Sequence, residues 1–228
     1  MELKGQGAIE YLLIIAATIL VVALVILTVT GALGGGTDQT DISITQQQNA
    51  MTGLEIELEL AKGHIQISSV DGENSTPSAG EWEDGQTYFI SQDLESSTFG
   101  FINFNGTNNI TLDCMGRKLT STYGVDPSPI FALSSNNLTI KNCVIENQAY
   151  GFVLINPTNL TIENVTATNN TMSGGRIING DATIKNSSFC SSTGDGLYCN
   201  GSTITVTNSK ANSITCPLLS GSFDSCPS

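Results

Sequence analysis

The sequence predicts an N-terminal membrane-inserted α-helix followed by an all-β domain, a parallel β-helix with coils of about 22 residues. Three observations carry this prediction. An uncharged apolar run occupies residues 11–29, the remainder is rich in Asn, Thr, Ser and Gly with short alternating apolar runs, and a six-residue motif recurs at a fixed spacing. Asn, Thr and Ser are weak helix formers, and apolar residues two apart are typical of strands.

The charge balance excludes one class of partner. The 228 residues include 21 acidic and 8 basic side chains, a formal net charge of −13. The basic residues are scattered singly or in one pair, Arg117 and Lys118, so they form no basic patch. An acidic surface repels phosphate backbones, and we therefore expect no nucleic-acid binding.

The apolar run at residues 11–29 is long enough to span a bilayer. At 1.5 Å per residue, about 19 helical residues cross roughly 30 Å of hydrocarbon. A glycine-rich stretch at 31–36 follows, without the small-residue cleavage site of a secretory signal peptide. We therefore predict that residues 6–34 form a hydrophobic helix that stays in the mature protein and lies in the membrane before assembly.

An acidic residue stands directly before the apolar run. The carboxylate of Glu10 is costly next to a membrane span unless it is paired. If the chain were cut between Gly5 and Gln6, Glu10 would be the fifth residue of the mature protein. It would then be placed to neutralise the new α-amino group of an adjacent subunit.

The junction Lys4-Gly5-Gln6, Glu10 and the apolar run resemble the archaeal class III signal peptide, the leader of type IV pilin-like proteins. The resemblance implies that residues 1–5 are a leader removed by a membrane prepilin peptidase. It also implies that the helix then packs against the same helix of other pilin-like subunits.

The stretch between the helix and the repeats divides into two segments. Residues 35–53 are polar, without an apolar stripe, and are interpreted as a linker. Residues 54–60 alternate Leu or Ile with Glu, which predicts a half-buried strand whose glutamates face solvent; a cation site is the alternative. Lys62-Gly63 would turn the chain into a partner strand, giving a β-hairpin cap over residues 54–79. His64 has no second His or Cys nearby, so no metal site is predicted.

A repeat of 22 residues determines the predicted fold. Similar motifs start at positions 137, 159, 181 and 203, and an earlier copy starts at 109. Each copy is followed by two further short apolar runs, so every coil would hold three strands. One coil cannot bury its inner face alone, but stacked coils share a continuous core. The β-helix is therefore predicted over residues 80–215.

One asparagine occupies the same position in successive coils: Asn142, Asn164, Asn186 and Asn208. We expect their amides to point inward and to hydrogen-bond along the axis as a structural ladder. A row of amides that binds a sugar is the alternative.

Residues 85–94 and 110–113 are similar to the opening of right-handed parallel β-helix domains of the periplasmic copper-binding NosD type. This resemblance implies a right-handed fold over residues 80–215. It implies little about activity, because enzymes, adhesins and spikes share the fold. No cofactor is expected.

All six cysteines lie beyond the apolar helix, and an even number in an external domain indicates disulfides. Cys114 stands where later coils carry the ladder asparagine, and Cys143 follows Asn142 one coil on. A Cys114–Cys143 bridge is therefore expected. The pairing of the other four stays open: Cys190, Cys199, Cys216 and Cys226. Residues 216–228 are interpreted as a cysteine-containing tail.

Two residue patterns bear on chemistry. No pair of acidic residues recurs at matching positions of neighbouring coils, so we predict that the protein is not an enzyme. Many Asn-x-Ser/Thr triplets are present, and Asn137 and Asn159, at the turn before a strand, are the expected glycan acceptors. Asn164 and Asn186 are excluded as acceptors because an inward amide cannot carry a glycan.

Taken with the resemblance, these features imply a structural subunit of a type IV pilus-like filament, displayed outside the membrane. A tip or minor pilin that attaches to a surface glycan or cell-surface ligand fits this description. Two alternatives stay open, namely a membrane-anchored module that binds or cleaves glycans and an anchored surface protein that never polymerises. Tyr123, Tyr150 and Tyr198 do not repeat at 22 residues, which counts against an aromatic row for glycans.

Overall fold

The computed structural model describes residues 52–70, 76–77, 81–123, 128–190 and 193–226. The predicted leader, the helix at 6–34 and most of the linker lie outside these ranges, and so do Gly5, Gln6 and Glu10. Among the described residues, no helix combines the length and apolarity needed to cross a membrane.

The described residues form a parallel β-solenoid of six complete coils, which confirms the predicted fold class. Each coil contributes one strand to each of three sheets. The first sheet has eight strands: β1 (Ile65–Ile67), β2 (Thr87–Ile90), β5 (Thr111–Asp113), β8 (Thr139–Lys141), β11 (Leu160–Glu163), β14 (Asp181–Lys185), β17 (Thr203–Thr207) and β20 (Leu218–Ser220).

The chain passes from the first sheet to the second and then to the third. The second sheet has seven strands: β3 (Leu94–Ser96), β6 (Lys118–Ser121), β9 (Val144–Glu146), β12 (Thr166–Thr168), β15 (Ser188–Phe189), β18 (Ser209–Ala211) and β21 (Phe223–Asp224). The third has six: β4 (Ile102–Asn103), β7 (Ile130–Leu133), β10 (Phe152–Ile155), β13 (Ser173–Ile178), β16 (Asp195–Asn200) and β19 (Ile214–Thr215).

The repeat motif sets the register of the first sheet. Thr161 lies opposite Thr139 on one side and Thr183 on the other, and Ile162 lies between Ile140 and Ile184. Side chains alternate across a strand, so the isoleucines point inward and are fully buried while the threonines point out. Stacking each isoleucine on the next builds the continuous core that one coil alone cannot form.

Asparagine turns separate the strands. Asn142, Asn164, Asn186 and Asn208 all have positive φ, between 47° and 56°. Asparagine tolerates this left-handed conformation better than most residues. The bends after β8, β11, β14 and β17 are therefore encoded in the repeat itself.

The predicted strand at residues 54–60 is wrong, because the structure has a helix at residues 52–61. The same Leu/Glu alternation places Leu54 and Leu58 one helical turn apart, and Leu, Glu and Ala are strong helix formers. Gly63, with φ +79°, ends the helix. Its N–H bonds Leu60 O at 2.9 Å and the N–H of His64 bonds Glu59 O at 3.2 Å, the pattern of a Schellman cap.

Two predicted boundaries also need correction. No hairpin spans residues 54–79, because β1 pairs parallel with β2 and so belongs to the solenoid. The region 216–228 is not a separate tail, since β20 and β21 extend the first and second sheets. Strands of the solenoid therefore run beyond both ends of the predicted range 80–215.

Disulfides join all six cysteines. Cys114 pairs with Cys143 across neighbouring coils, the bridge that the repeat register pointed to. Cys199 pairs with Cys216, and Cys190 pairs with Cys226, which resolves the four that the sequence left open. Both of these latter bridges tie the final coils of the solenoid together.

Candidate functional site

The outer face of the first sheet carries a column of threonines. Thr87, Thr111, Thr139, Thr161, Thr183 and Thr205 are consecutive register partners. A charged row runs beside them, in which Glu163 lies between Lys141 and Lys185. Opposite charges on adjacent strands stabilise their pairing, so this row serves the fold.

The predicted asparagine ladder exists in two pieces. Asn164 Nδ2 donates to Asn142 Oδ1 at 3.1 Å, and Asn208 Nδ2 donates to Asn186 Oδ1 at 2.7 Å. Within the described coils no hydrogen bond joins Asn164 to Asn186. The expectation of inward amides is wrong, because Asn164, Asn186 and Asn208 are exposed at the turn. The left-handed turn directs their side chains outward.

A second ladder, which the sequence did not predict, contains the two expected glycan acceptors. Asn159 Nδ2 donates to Asn137 Oδ1 at 3.0 Å, and Asn137 Nδ2 donates to Asn109 Oδ1 at 2.7 Å. All three are exposed and have positive φ. Glycan attachment at Asn137 and Asn159 stays a prediction. The ground for excluding Asn164 and Asn186 as acceptors no longer holds, since neither points inward.

The first ladder starts on a carboxylate. Asp113 Oδ1 accepts from Asn142 Nδ2 at 2.9 Å and from the Met115 N–H at 2.9 Å, and Lys141 Nζ lies 3.0 Å from Asp113 Oδ2. Burial alone would raise the pKa of Asp113, but these hydrogen bonds and the Lys141 charge outweigh it, and the pKa is lowered. Asp113 is therefore an ionised anchor of the coil turn.

The outer face of the third sheet has a different character. Phe131, Val153, Arg176 and Tyr198 form one outward column. Leu133, Ile155 and Ile178 form a second. Its six strands carry two charged residues, Arg176 and Asp195. The middle of this face therefore carries more apolar side chains than the threonine and charged columns of the first sheet.

A shallow open groove of about 190 Å³ lies on this face, which we call the third-sheet groove. Its lining consists of Tyr150, Met172, Ser173, Arg176, Asp195 and Tyr198. The Arg176 guanidinium carbon lies 5.9 Å from the centre of the Tyr150 ring and 5.3 Å from that of Tyr198. The groove therefore holds two tyrosine rings with a cation between them.

The polar groups of the groove have unused hydrogen-bonding capacity. Arg176 Nε is buried and has no hydrogen-bond partner. Among the described residues, no carboxylate lies within ion-pair distance of Arg176. Asp195 Oδ1 accepts from the Ser213 hydroxyl at 2.6 Å. The groove therefore combines a cation without an ion pair to a described residue and a carboxylate that accepts one hydrogen bond from a neutral hydroxyl.

A constant repeat of 22 residues does not predict this groove. Between β8 and β17 of the first sheet, paired residues are 22 apart, but Val153 in the third sheet pairs with Arg176, one residue further on. Tyr150 likewise bridges to Ser173. Tyr198 is the register partner of Arg176 in the next coil, and Tyr150 approaches Arg176 from the preceding coil. The signal available in the sequence is the glycine pair Gly174-Gly175, which marks the altered coil.

Gly175 also shows why the altered coil needs glycine. A Cβ at Gly175 would lie 2.2 Å from the ring of Phe152, which is fully buried. The third sheet therefore accepts no side chain at this inner position.

The other titratable cluster lies at the helix end. Glu59 Oε1 lies 2.5 Å from Lys62 Nζ, and Glu59 Oε2 lies 2.5 Å from His64 Nδ1. The hydrogen bond from Lys62, opposed by burial and aided by His64, lowers the pKa of Glu59. Among the described residues, no group of three His, Cys, Asp or Glu side chains is arranged to hold a metal ion.

Comparison with known families gives two matches. The family described as Class III signal peptide matches residues 4–29, and the family described as Right handed beta helix region matches residues 128–220. Neither a curated protein nor a solved structure matches the chain.

The two matched ranges coincide with the two segments on which the sequence predictions rested. Residues 4–29 contain the Lys4-Gly5-Gln6 junction and Glu10, and residues 128–220 contain the strands from β7 to β20. A signal peptide of this class indicates a pilin-like, membrane-anchored protein exposed at the cell surface. The chain thus combines a class III signal peptide with a right-handed β-helix domain.

Proposed function

We propose that the protein is a structural subunit of a type IV pilus-like filament and that its β-helix is the displayed part. The class III signal peptide match over residues 4–29 is the observation that carries this proposal. In this proposal a prepilin peptidase cuts between Gly5 and Gln6, and the hydrophobic helix of residues 6–34 then packs against other subunits. The carboxylate of Glu10 neutralises the new α-amino group of a neighbour.

The properties of the β-helix suit an exposed, non-catalytic role. Three disulfides link its coils, which is typical of proteins outside the cytosol. Asp113 is engaged by Lys141, and Glu146 lies 3.3 Å from Lys118. Carboxylates committed to such contacts support the fold, and we propose that the protein is not an enzyme.

Mass spectrometry of the N-terminal peptide tests the proposal directly. Protein is taken from sheared surface filaments and, separately, from the membrane fraction. We expect a chain that begins at Gln6 and is enriched in the filaments. An intact Met1 terminus confined to the membrane would contradict both processing and assembly.

A variant of Glu10 separates processing from assembly. Glu10→Gln removes the negative charge but keeps the size of the side chain, so we expect normal cleavage after Gly5 and loss of the chain from sheared filaments. Glu2→Gln is the matched control, because residue 2 leaves with the leader and its charge plays no part in the mature subunit. Equal assembly of both variants would remove Glu10 from the proposal.

A further inference from the structure

We propose that the third-sheet groove is a binding site for a neutral glycan. In this assignment a sugar ring packs on the tyrosines, and its hydroxyl groups bond Arg176 and Asp195. The inference goes beyond assembly into a filament and does not depend on it, because the groove belongs to the β-helix alone.

The aromatic rings supply the first element of the site. Tyr150 and Tyr198 lie on either side of Arg176 and both line the open groove. Tyrosine presents a rigid amphipathic surface, and burying its ring against the C–H face of a sugar removes apolar area from water. Met172, with 49% of its surface exposed, extends the apolar edge of the groove.

The polar groups supply the second element. Arg176 offers only donors and Asp195 offers acceptors, and both line the same groove. A hydroxyl group both donates and accepts, so adjacent hydroxyls of one sugar ring match both side chains.

The charges select against the other ligand classes. An anionic ligand would satisfy Arg176 but would face Asp195 and a chain of formal net charge −13. A purely apolar partner would bury Arg176 without an acceptor, which costs free energy. A neutral polyhydroxyl ligand meets neither penalty.

The openness of the groove sets the expected affinity. A shallow site of about 190 Å³ covers one or two sugar rings and leaves the rest of a chain in solvent. We expect a dissociation constant on the order of millimolar for a single short oligosaccharide. Many copies displayed together would gain avidity over this weak single-site affinity.

Titration of the full chain in detergent with a panel of oligosaccharides tests the assignment. The neutral probes are cellohexaose, mannohexaose and chitohexaose, and hexagalacturonate is the anionic probe. Binding is measured by saturation-transfer NMR or calorimetry, and we expect at least one neutral probe to bind. Tyr198→Ala should weaken that binding about tenfold or more, because truncating an aromatic anchor costs over 1 kcal/mol.

Controls separate a lost site from a lost fold. Tyr198→Phe keeps the ring and should bind within about threefold of the unchanged protein, since the ring face carries the contact. Arg176→Ala should weaken binding, whereas Thr205→Ala, on the outer face of the first sheet, should leave it unchanged. All variants should retain the circular dichroism spectrum of the unchanged protein.

Three results would overturn the assignment. The first is that no neutral probe binds at oligosaccharide concentrations about 10-fold above the expected millimolar dissociation constant. The second is binding of hexagalacturonate alone, which would identify an anion site. The third is concentration-dependent self-association, measured by light scattering, that Tyr198→Ala abolishes while no neutral probe binds, since the groove would then be a contact between copies of this chain.

Discussion

The outer faces of the first and third sheets share one backbone geometry but differ in how their side chains are used. On the first sheet Lys141 forms an ion pair with Asp113 of the preceding coil, and the asparagine turns hydrogen-bond to their counterparts. On the third sheet Arg176 contacts two aromatic rings and no carboxylate of the described chain. The first face therefore stabilises the solenoid through contacts between coils, although its threonines also line an open groove, whereas Arg176 on the third face forms no ion pair with a described residue.

The difference between the two faces indicates which coils of a repetitive fold are candidates for binding sites. A regular period produces regular ladders, in which the asparagine amides of successive coils hydrogen-bond to one another. The groove occurs where the period is broken by one residue, between Val153 and Arg176. Irregular coils are thus the informative ones.

The largest effect is expected from the disulfide nearest the groove. Cys199 directly follows Tyr198 and pairs with Cys216 over a sequence separation of 17. Replacing both with Ser should lower the free energy of unfolding by about 3 kcal/mol, through the added freedom of the unfolded chain. Urea denaturation measures this. A loss as small as that of a surface substitution would mean that the third sheet does not depend on this link.

A large effect is also expected where the first-sheet ladder begins. Asn142→Ala removes the hydrogen bonds to Asp113 and from Asn164 and places Ala at φ 56°, so we expect the free energy of unfolding to fall by about 2 kcal/mol. Asn142→Gly is the control, because glycine adopts this conformation freely and loses only the two side-chain hydrogen bonds. Equal losses for both variants would show that backbone strain contributes nothing.

Acid should weaken the first face selectively. The pKa of Asp113 is lowered in the folded state, so its contribution to stability is full above the unfolded pKa of about 3.9 and is lost as the pH falls through the lower folded pKa. Melting temperatures measured from pH 7 to pH 2 by circular dichroism should show this decline. Asp113→Asn should flatten it, and an unchanged slope in that variant would contradict the assignment.

The smallest effect is expected on the third face. Tyr198→Ala removes one cation–π contact at a partly exposed site, so we expect a loss below about 1 kcal/mol. The same denaturation experiment as for Asn142 gives a direct comparison. A loss above that of Asn142→Ala would mean that the tyrosine pair stabilises the solenoid, and the contrast between the two faces would fail.

The residues that stack on one another in successive coils could be predicted from the 22-residue repeat. The spacing of Ile140, Ile162 and Ile184 gives the inward column, and the register of Cys114 with Asn142 gives the neighbouring bridge. A period shows which residues stack but not which way a turn directs them. The amides of Asn164 and Asn186 were therefore expected inside when they lie outside.

The remaining differences have local causes. The Leu/Glu alternation at 54–60 fits both a strand and a helix, and only the cap at Gly63 distinguishes them. The groove depends on a single added residue in a coil, which shifts side chains between columns without changing the composition. Neither could be obtained from a constant repeat.

The short strands β19, β20 and β21 affect how readily another chain can pair with the edge of the solenoid. A solenoid ends in open strand edges, onto which another chain can add strands and grow a fibre. Here β19 and β21 are two residues long and β20 is three, and Cys216 and Cys226, which flank them, are each tied to an earlier coil. Short strands fastened by disulfides give an incoming strand little template for pairing, which disfavours aggregation at this edge.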